Sequence, residues 1–298
     1  MSKYRKINDQ WSLYKYGESY KAVYIKSAAR RKNQHIPLYP ELEGLTPSER
    51  SIAWASLCNQ TTGGIIKLNE PKKESKSARP VEERLAASLS RTKARILELA
   101  LCNEFTFFCT FTQDSEKVGS RFDLAAFRKD LAQFIRNQNR GREQKIQYLL
   151  IPERHKDGAW HMHGLFSGLE IGRDLIEFTL ADRLPHRLRN CLKNGQKVYN
   201  WGKIAQKFGF FTATEIKSHS AVSRYITKYV TKEVAAQGLK EGRHLFFASQ
   251  GLKGRETVIK NGVGIDGELV RCPFSDNEFD FENEYVKIKW IDPSKEGE

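Results

Sequence analysis

The sequence lacks long apolar runs, paired cysteine motifs and internal repeats. Nothing in its 298 residues approaches the roughly 20 consecutive apolar residues of a membrane-spanning helix. The first residues contain no apolar segment, so we also expect no signal peptide. The five cysteines are odd in number and no two have CxxC spacing, which argues against a zinc ribbon or a disulfide framework. Together these absences favour a cytoplasmic protein in a reducing compartment.

A phosphate-binding loop is also missing, because no segment reads GxxxxGK[ST]. What the sequence does have is positive charge. It contains 50 Lys and Arg residues against 36 Asp and Glu residues, a net charge of +14. Such an excess favours a polyanionic partner, and nucleic acid is the usual one. The hydrophobic content of 39% is enough for one sizeable core with an appendage, or for two small domains.

The middle of the chain alternates between strand and helix patterns. Predicted strands cover 105–112, 146–153, 160–166, 210–216 and 245–249. Predicted helices cover 81–101, 123–141, 174–193 and 219–236. The order β-α-β-β-α-β, followed by a helix, is that of the split βαβ motif. The sequence therefore predicts an α+β fold with a ferredoxin-like, mostly antiparallel sheet.

Composition divides the chain into three regions. Residues 1–84 are basic, have no assignable fold, and end in a charged linker that contains two prolines. Residues 85–255 contain the alternation of strands and helices. Residues 256–298 form a C-terminal extension with an acidic tail, SDNEFDFENEY.

The segment LLIPERHKDGAWHMHGLF, residues 149–166, contains two histidines on one predicted strand. His161 and His163 are two residues apart, and side chains alternate between the faces of a strand, so both imidazoles project from the same face. Two nitrogen ligands on one face suit a divalent metal ion.

A third ligand is expected from the neighbouring strand of the same hairpin. With Asp157 at the centre of the turn, position 153 lies opposite position 161, which puts Glu153 on the face of the two histidines. His155 shares the face of Glu153 and is the reserve ligand. Two histidines and one carboxylate leave coordination positions open for a substrate phosphate. The expected ion is Mg²⁺ or Mn²⁺.

Residues 225–232 read YITKYVTK, the unit Y-x-x-K written twice. Tyr225 and Tyr229 are four residues apart and share one face of a helix. Tyrosine can act as a covalent nucleophile, and nearby positive charge favours its phenolate. Lys228 and Lys232 each follow a tyrosine by three residues, so all four residues are candidates for catalysis.

Three segments now stand in a fixed order: FCTFTQD (108–114), HMHGLF (161–166) and YITKYVTK (225–232). Together they resemble the motifs of the HUH endonuclease superfamily, and specifically the rolling-circle replication initiators of small phages and plasmids. The paired tyrosines are similar to those of the initiators of isometric single-stranded DNA phages. The resemblance covers roughly residues 90–255.

The resemblance implies an enzyme that nicks single-stranded origin DNA, becomes linked to it through a 5′-phosphotyrosine, and leaves a free 3′-OH for rolling-circle replication. It also implies that Glu153 is the metal ligand ahead of the two histidines. A host helicase and a DNA polymerase would then be partners. The oligomeric state stays open.

Two kinds of alternative stay open on the sequence. The first is another enzyme of the same superfamily, a conjugative relaxase or a transposase. The second is a non-catalytic nucleic-acid-binding protein with a structural metal. A binder would use aromatic side chains as a stacking platform for bases. The candidates for such stacking are Trp54, Trp160, Trp201, Phe210 and Phe211.

Overall fold

The computed structural model describes residues 11–25, 81–231, 245–268, 270, 272–274, 276–283 and 286–292. These residues form helices and two antiparallel sheets, which confirms the predicted α+β class. The α-helices are α1 (Val81–Leu101), α2 (Leu124–Gln138), α3 (His186–Lys193), α4 (Gly202–Phe208) and α5 (His219–Ile226). None of the helices in these ranges is long and apolar enough to cross a membrane.

The strands are β1 (Trp11–Tyr16), β2 (Ser19–Ile25), β3 (Phe107–Gln113), β4 (Gln147–Arg154), β5 (Trp160–Ser167), β6 (Ile176–Glu177), β7 (Tyr199–Asn200), β8 (Gly209–Glu215), β9 (Phe247–Ala248), β10 (Glu256–Lys260), β11 (Val263–Gly264), β12 (Phe281–Glu282) and β13 (Val286–Ile291). Short 3-10 turns follow α5 at Thr227–Tyr229 and precede β12 at Asp276–Glu278.

One sheet has seven strands in the order β6-β7-β8-β3-β5-β4-β9. Its four central strands, β8-β3-β5-β4, are the last, first, third and second long strands in chain order. All three of these pairings are antiparallel. This is the ferredoxin-like arrangement of a split βαβ motif, and it puts β3 and β5 side by side at the centre of the sheet.

The two faces of β3 have different roles. Alternate residues from Phe107 to Gln113 are buried, while those between them are half-buried, as expected for a strand with period two. On the buried face, Phe111 contacts Phe211, which in turn contacts Trp201 of the segment before α4. Trp201 packs against Phe134 of α2. This aromatic core fixes β3 from behind and leaves the opposite face for the site.

Helix α2 has the start and the buried face that its sequence predicts. The Asp123 side chain accepts a hydrogen bond from the Ala126 N–H and caps the helix. Five apolar residues at helical spacing are buried: Leu124, Phe127, Leu131, Phe134 and Ile135. Their spacing gives one apolar stripe that packs on the sheet.

The helix predicted over 174–193 is wrong in its first half. The chain instead forms the short strand β6, and α3 begins only at His186. Pro185 stands at the N-cap of α3, and a proline disfavours helical backbone in the residue before it. Apolar residues in the first half of the segment had suggested a single long helix.

Residue contacts divide the chain into two compact units. The larger contains the described residues of 81–257 and the seven-stranded sheet. The other sheet has six strands in the order β11-β10-β1-β2-β13-β12, drawn from both ends of the chain. Its small core is built on Trp11, Ala22 and Ile259, and the Trp11 indole donates a hydrogen bond to the Val270 carbonyl at 2.9 Å.

Candidate functional site

The β4–β5 hairpin has the register that the sequence predicts. Glu153 pairs directly with His161 across the two strands. The turn is held by Gly158, whose φ of 85° is favourable only for glycine. It is also held by the Asp157 carboxylate, which accepts a hydrogen bond from the Ala159 N–H at 3.0 Å. The acidic residue and both histidines therefore lie on one face.

Two threonines of β3 orient the two histidines of β5. Thr110 pairs with His163 and Thr112 pairs with His161 in the β3–β5 register. The Thr110 hydroxyl is hydrogen-bonded to His163 Nδ1 at 3.2 Å, and the Thr112 hydroxyl to His161 Nδ1 at 3.1 Å. A hydroxyl can donate or accept, so it supports either tautomer of the ring. When Nδ1 carries the proton, Nε2 keeps its lone pair for a cation, the usual arrangement of metal-binding histidines.

The imidazole of His163 also contacts the carboxylate of Glu153, with 2.7 Å between Nε2 and Oε2. Burial lowers the pKa of His163 and the pKa of His161, and in both it is the largest cause. Both rings are therefore held in the neutral form, which is the form that binds a metal ion.

The donor set fits a divalent cation in kind: two neutral imidazoles and one carboxylate. Within the described ranges, no cluster of three or more His, Cys, Asp and Glu side chains is already gathered as a metal site. The hydrogen bond between His163 and Glu153 is the contact that an ion would replace. His155, the reserve ligand, lies elsewhere: its ring stacks on His161 at 4.7 Å between centroids, and its Nδ1 is 3.4 Å from Asp157.

Helix α5 is shorter than the helix predicted over 219–236. Ser218 caps its start by accepting a hydrogen bond from the Ala221 N–H, and the helix ends at Ile226. The Thr227 hydroxyl then donates to the Arg224 carbonyl at 2.7 Å. Such local bonding by a β-branched residue competes with regular helix. The chain continues as a 3-10 turn, so Tyr225 is α-helical and Tyr229 is not.

Both tyrosines nevertheless lie together above the histidine face of the sheet. The Tyr229 ring stacks on the His163 ring with 3.8 Å between centroids and 15° between planes. Phe108 of β3 contacts both tyrosine rings and the His163 ring at centroid distances of 5.8–6.2 Å. The tertiary fold thus joins the histidine strand to a tyrosine pair more than 60 residues later in the chain.

The two tyrosines are not equivalent. The Tyr229 hydroxyl donates a hydrogen bond to the Tyr225 hydroxyl at 3.1 Å. The Lys228 ammonium lies 3.4 Å from the centre of the Tyr225 ring and 5.2 Å from that of Tyr229. Interaction with Lys228, followed by the bond from Tyr229, lowers the pKa of Tyr225. Burial, followed by the same bond, raises the pKa of Tyr229 well above its ordinary value. Tyr225, which is 40% exposed, is the more readily ionised phenol.

The structure brings together most of the predicted site residues. Glu153, His163, Tyr225, Lys228 and Tyr229 form a connected set, with His161 beside them on β5. Lys232 lies outside the described residues. The sequence analysis gave no individual role to three residues of β3: Phe108, Thr110 and Thr112. Their signal was the two-residue spacing of polar side chains within an aromatic strand, and it was recognisable only once β3 was paired with β5.

A comparison with protein families agrees with this geometry. Residues 106–234 match the family model of the replication-associated protein ORF2. The match begins just before β3 and extends past the paired tyrosines, and it covers less than half of the chain. It supports a protein of the replication-initiator type, with a role in the initiation of replication. Neither a curated protein nor a solved structure matches the chain significantly.

Proposed function

We propose that this protein is a replication-initiation endonuclease of the HUH type. It nicks single-stranded origin DNA with a tyrosine nucleophile, forms a 5′-phosphotyrosine link, leaves a 3′-OH for rolling-circle replication, and later rejoins the ends. The observation that carries the proposal is the stacking of Tyr229 on His163, with the Tyr225 hydroxyl bonded to Tyr229. Three sequence motifs that are far apart in the chain meet in this one cluster.

The chemistry is a transesterification. The Tyr225 phenolate oxygen attacks the phosphorus, a new bond forms between that oxygen and phosphorus, and the bond from phosphorus to the 3′ oxygen breaks. The phenol proton leaves to water, and the departing 3′ oxygen takes a proton from water to become the 3′-OH. The energy of the phosphodiester is kept in the protein–DNA link, so the reaction needs no nucleotide hydrolysis. Reversal of the same step rejoins the ends.

Each side chain of the cluster has a role in this reaction. Lys228 stabilises the Tyr225 phenolate through its positive charge, and the Tyr229 hydroxyl donates to the same oxygen. Glu153, His161 and His163 would hold Mg²⁺ or Mn²⁺, with Thr110 and Thr112 orienting the two imidazoles. A cation bound there supplies Lewis-acid stabilisation of negative charge on the phosphate.

The direct test is formation of a covalent adduct. Purified protein, Mn²⁺ and end-labelled single-stranded DNA from a pool of random sequence should give a labelled protein that survives denaturation. The same DNA as fully paired linear duplex should give none, because one strand's phosphate must reach the tyrosines. Tyr148→Phe, a half-buried tyrosine of β4, is the matched control and should keep the adduct.

The outcome that decides against the enzyme is a protein that shifts the single strand in a gel and never forms an adduct with any member of the pool. That result would indicate the alternative of a non-catalytic nucleic-acid-binding protein. Equal adduct yields on duplex and single-stranded DNA would contradict the proposed substrate.

A second prediction concerns the carboxylate. Glu153→Gln should weaken Mn²⁺ binding by about 10-fold or more, because a charged ligand is lost from the cation. Titration followed by the electron paramagnetic resonance signal of free Mn²⁺ measures this. Glu116→Gln, an exposed carboxylate elsewhere, is the control and should leave the titration unchanged. Unchanged binding by Glu153→Gln together with impaired binding by His155→Ala would transfer the ligand role to His155.

A further inference from the structure

An open groove leads away from the exposed tyrosine. It has a volume of about 610 Å³ and lies between β8, the start of α5 and the turn after α3. The residues that matter for its chemistry are Phe108, Gln196, Lys197, Thr214, Lys217 and Tyr225. Volumes of about 300–1,000 Å³ are typical of pockets that hold a small organic ligand, so a nucleotide fits.

The groove combines an apolar floor with positive charge at its rim. Phe108 and Val222 contribute partly buried apolar surface next to Tyr225. Lys197 and Lys217 stand at the edges. This is the combination that single-stranded nucleic acid needs, a ring face for bases and cations for phosphates.

The segment that forms one wall of the groove contains no acidic residue. Between positions 183 and 214 the sequence has seven Lys and Arg residues and no Asp or Glu. Helix α3 lies in this stretch and none of its side chains is buried, so its Arg187 and Arg189 are free of packing constraints. The charge of Arg187 acts on the hydroxyls of both tyrosines. The field of this wall is therefore positive where the nucleophile stands.

The acidic groups near the groove are engaged with partners. Glu215 lines the groove, and its carboxylate accepts a hydrogen bond from the Tyr199 hydroxyl at 2.5 Å. Lys197 lies 3.9 Å from Glu177, but both side chains are exposed. An exposed pair of this kind is weak, so a phosphate can compete for the lysine.

We propose that this groove binds the DNA strand next to the scissile phosphate, with one base against Phe108 and neighbouring phosphates on Lys197 and Lys217. The inference deepens the proposed function, because it identifies the subsite that delivers the strand to Tyr225. The occupant is single-stranded DNA, because the apolar floor favours a base and the lysines favour the backbone.

The first test measures the phosphate contacts through salt dependence. The double variant Tyr225→Phe, Tyr229→Phe cannot cut, so it serves as the parent for binding of fluorescein-labelled (dT)12. In that parent, Lys197→Ala and Lys217→Ala should each reduce the slope of log affinity against log salt by about 0.7. Lys129→Ala, an exposed lysine of α2, is the control and should leave the slope unchanged. Unchanged slopes in both groove variants would overturn the inference.

The second test measures occupancy by a base. The parent should bind (dT)12 at least about 5-fold more tightly than an abasic strand of equal length, because base stacking is lost in the abasic strand. Ala221→Trp fills the groove and should remove this preference. Ala125→Trp, an equally exposed alanine of α2, should keep it. A base preference that persists in Ala221→Trp would overturn the inference.

These tests separate the groove from the nuclease. If the wild-type protein forms no DNA adduct but the groove variants change binding as expected, the proposed enzyme fails and the groove stands. If adducts form and every groove variant binds like its parent, the enzyme stands and the groove fails. Displacement of (dT)12 by polyaspartate as effectively as by unlabelled (dT)12 would make the groove a general anion site, and the inference would be rejected.

Discussion

Replacement of His163 by alanine should abolish nicking while leaving most of the affinity for single-stranded DNA. The His163 ring contacts Glu153 on one side and Tyr229 on the other, so its loss removes a cation ligand and the surface on which a tyrosine rests. Loss of a bound cation costs several kcal/mol of transition-state stabilisation, so the rate should fall by about 100-fold or more. His161→Ala should act in the same way through the loss of a second ligand.

The measurement is the single-turnover rate at saturating DNA, together with affinity from fluorescence anisotropy. Binding should change little, because the basic surface that neutralises phosphates is intact. His219→Gln is the control: the His219 ring contacts the Asn103 carbonyl, and the glutamine amide can still donate to it. Near-normal nicking by the double variant His161→Ala, His163→Ala would reject the assignment of both histidines.

The two tyrosines should differ in which step they perform. Tyr225→Phe should lose most of the first adduct, whereas Tyr229→Phe should keep most of it. The reason is that Lys228 lowers the pKa of Tyr225 while burial raises that of Tyr229. Each unit of pKa difference changes the phenolate fraction about 10-fold at a pH below both values. We therefore expect the first adduct to differ by at least about 10-fold between the variants.

Both single variants should lose efficient release of circular DNA. After the first cut, one tyrosine is occupied by the 5′ end, and a second is needed to attack the regenerated origin. Their hydroxyls are 3.1 Å apart, so either one can be brought to the same phosphate by a small movement. The double variant should form no adduct. Adducts confined to one tyrosine in every background, mapped on the modified peptide, would leave a nickase with a single nucleophile.

Lys228 offers an independent check on this asymmetry. Lys228→Gln removes the charge that lowers the pKa of Tyr225. Because the phenolate forms as pH rises through that pKa, the rising limb of the rate–pH profile should move to higher pH in the variant. An unshifted profile would mean that Lys228 does not activate the nucleophile.

Much of the fold around the site was readable from local patterns. The Asp157-Gly158 pair predicts the hairpin turn, and with it the register that brings Glu153 opposite His161. Asp123 and Ser218 as helix caps were likewise readable, because capping depends on a few consecutive residues. The long helix over 174–193 failed for the opposite reason: a stretch of mixed apolar residues does not by itself distinguish helix from edge strand and loop.

Candidate stacking residues show where local patterns end. Trp160, Trp201 and Phe211 are buried in the core, Phe210 is 37% exposed, and Trp54 lies outside the described residues. A sequence identifies an aromatic ring, but burial depends on which face of which strand it occupies. Phe108, which was not among the candidate stacking residues, is the ring that contacts both tyrosines.

By itself the sequence determined the chemical types at the site, their order along the chain, and the hairpin that aligns Glu153 with the histidines. These depend on spacing of two and four residues and on one turn, which are local properties. The tertiary structure decided the rest. Pairing of β3 with β5 put Thr110 and Thr112 on the imidazoles. The early end of α5 placed Tyr229 on His163 and left Tyr225 exposed beside Lys228. These contacts join residues tens of positions apart, so they follow from sheet order and packing, which no short segment encodes.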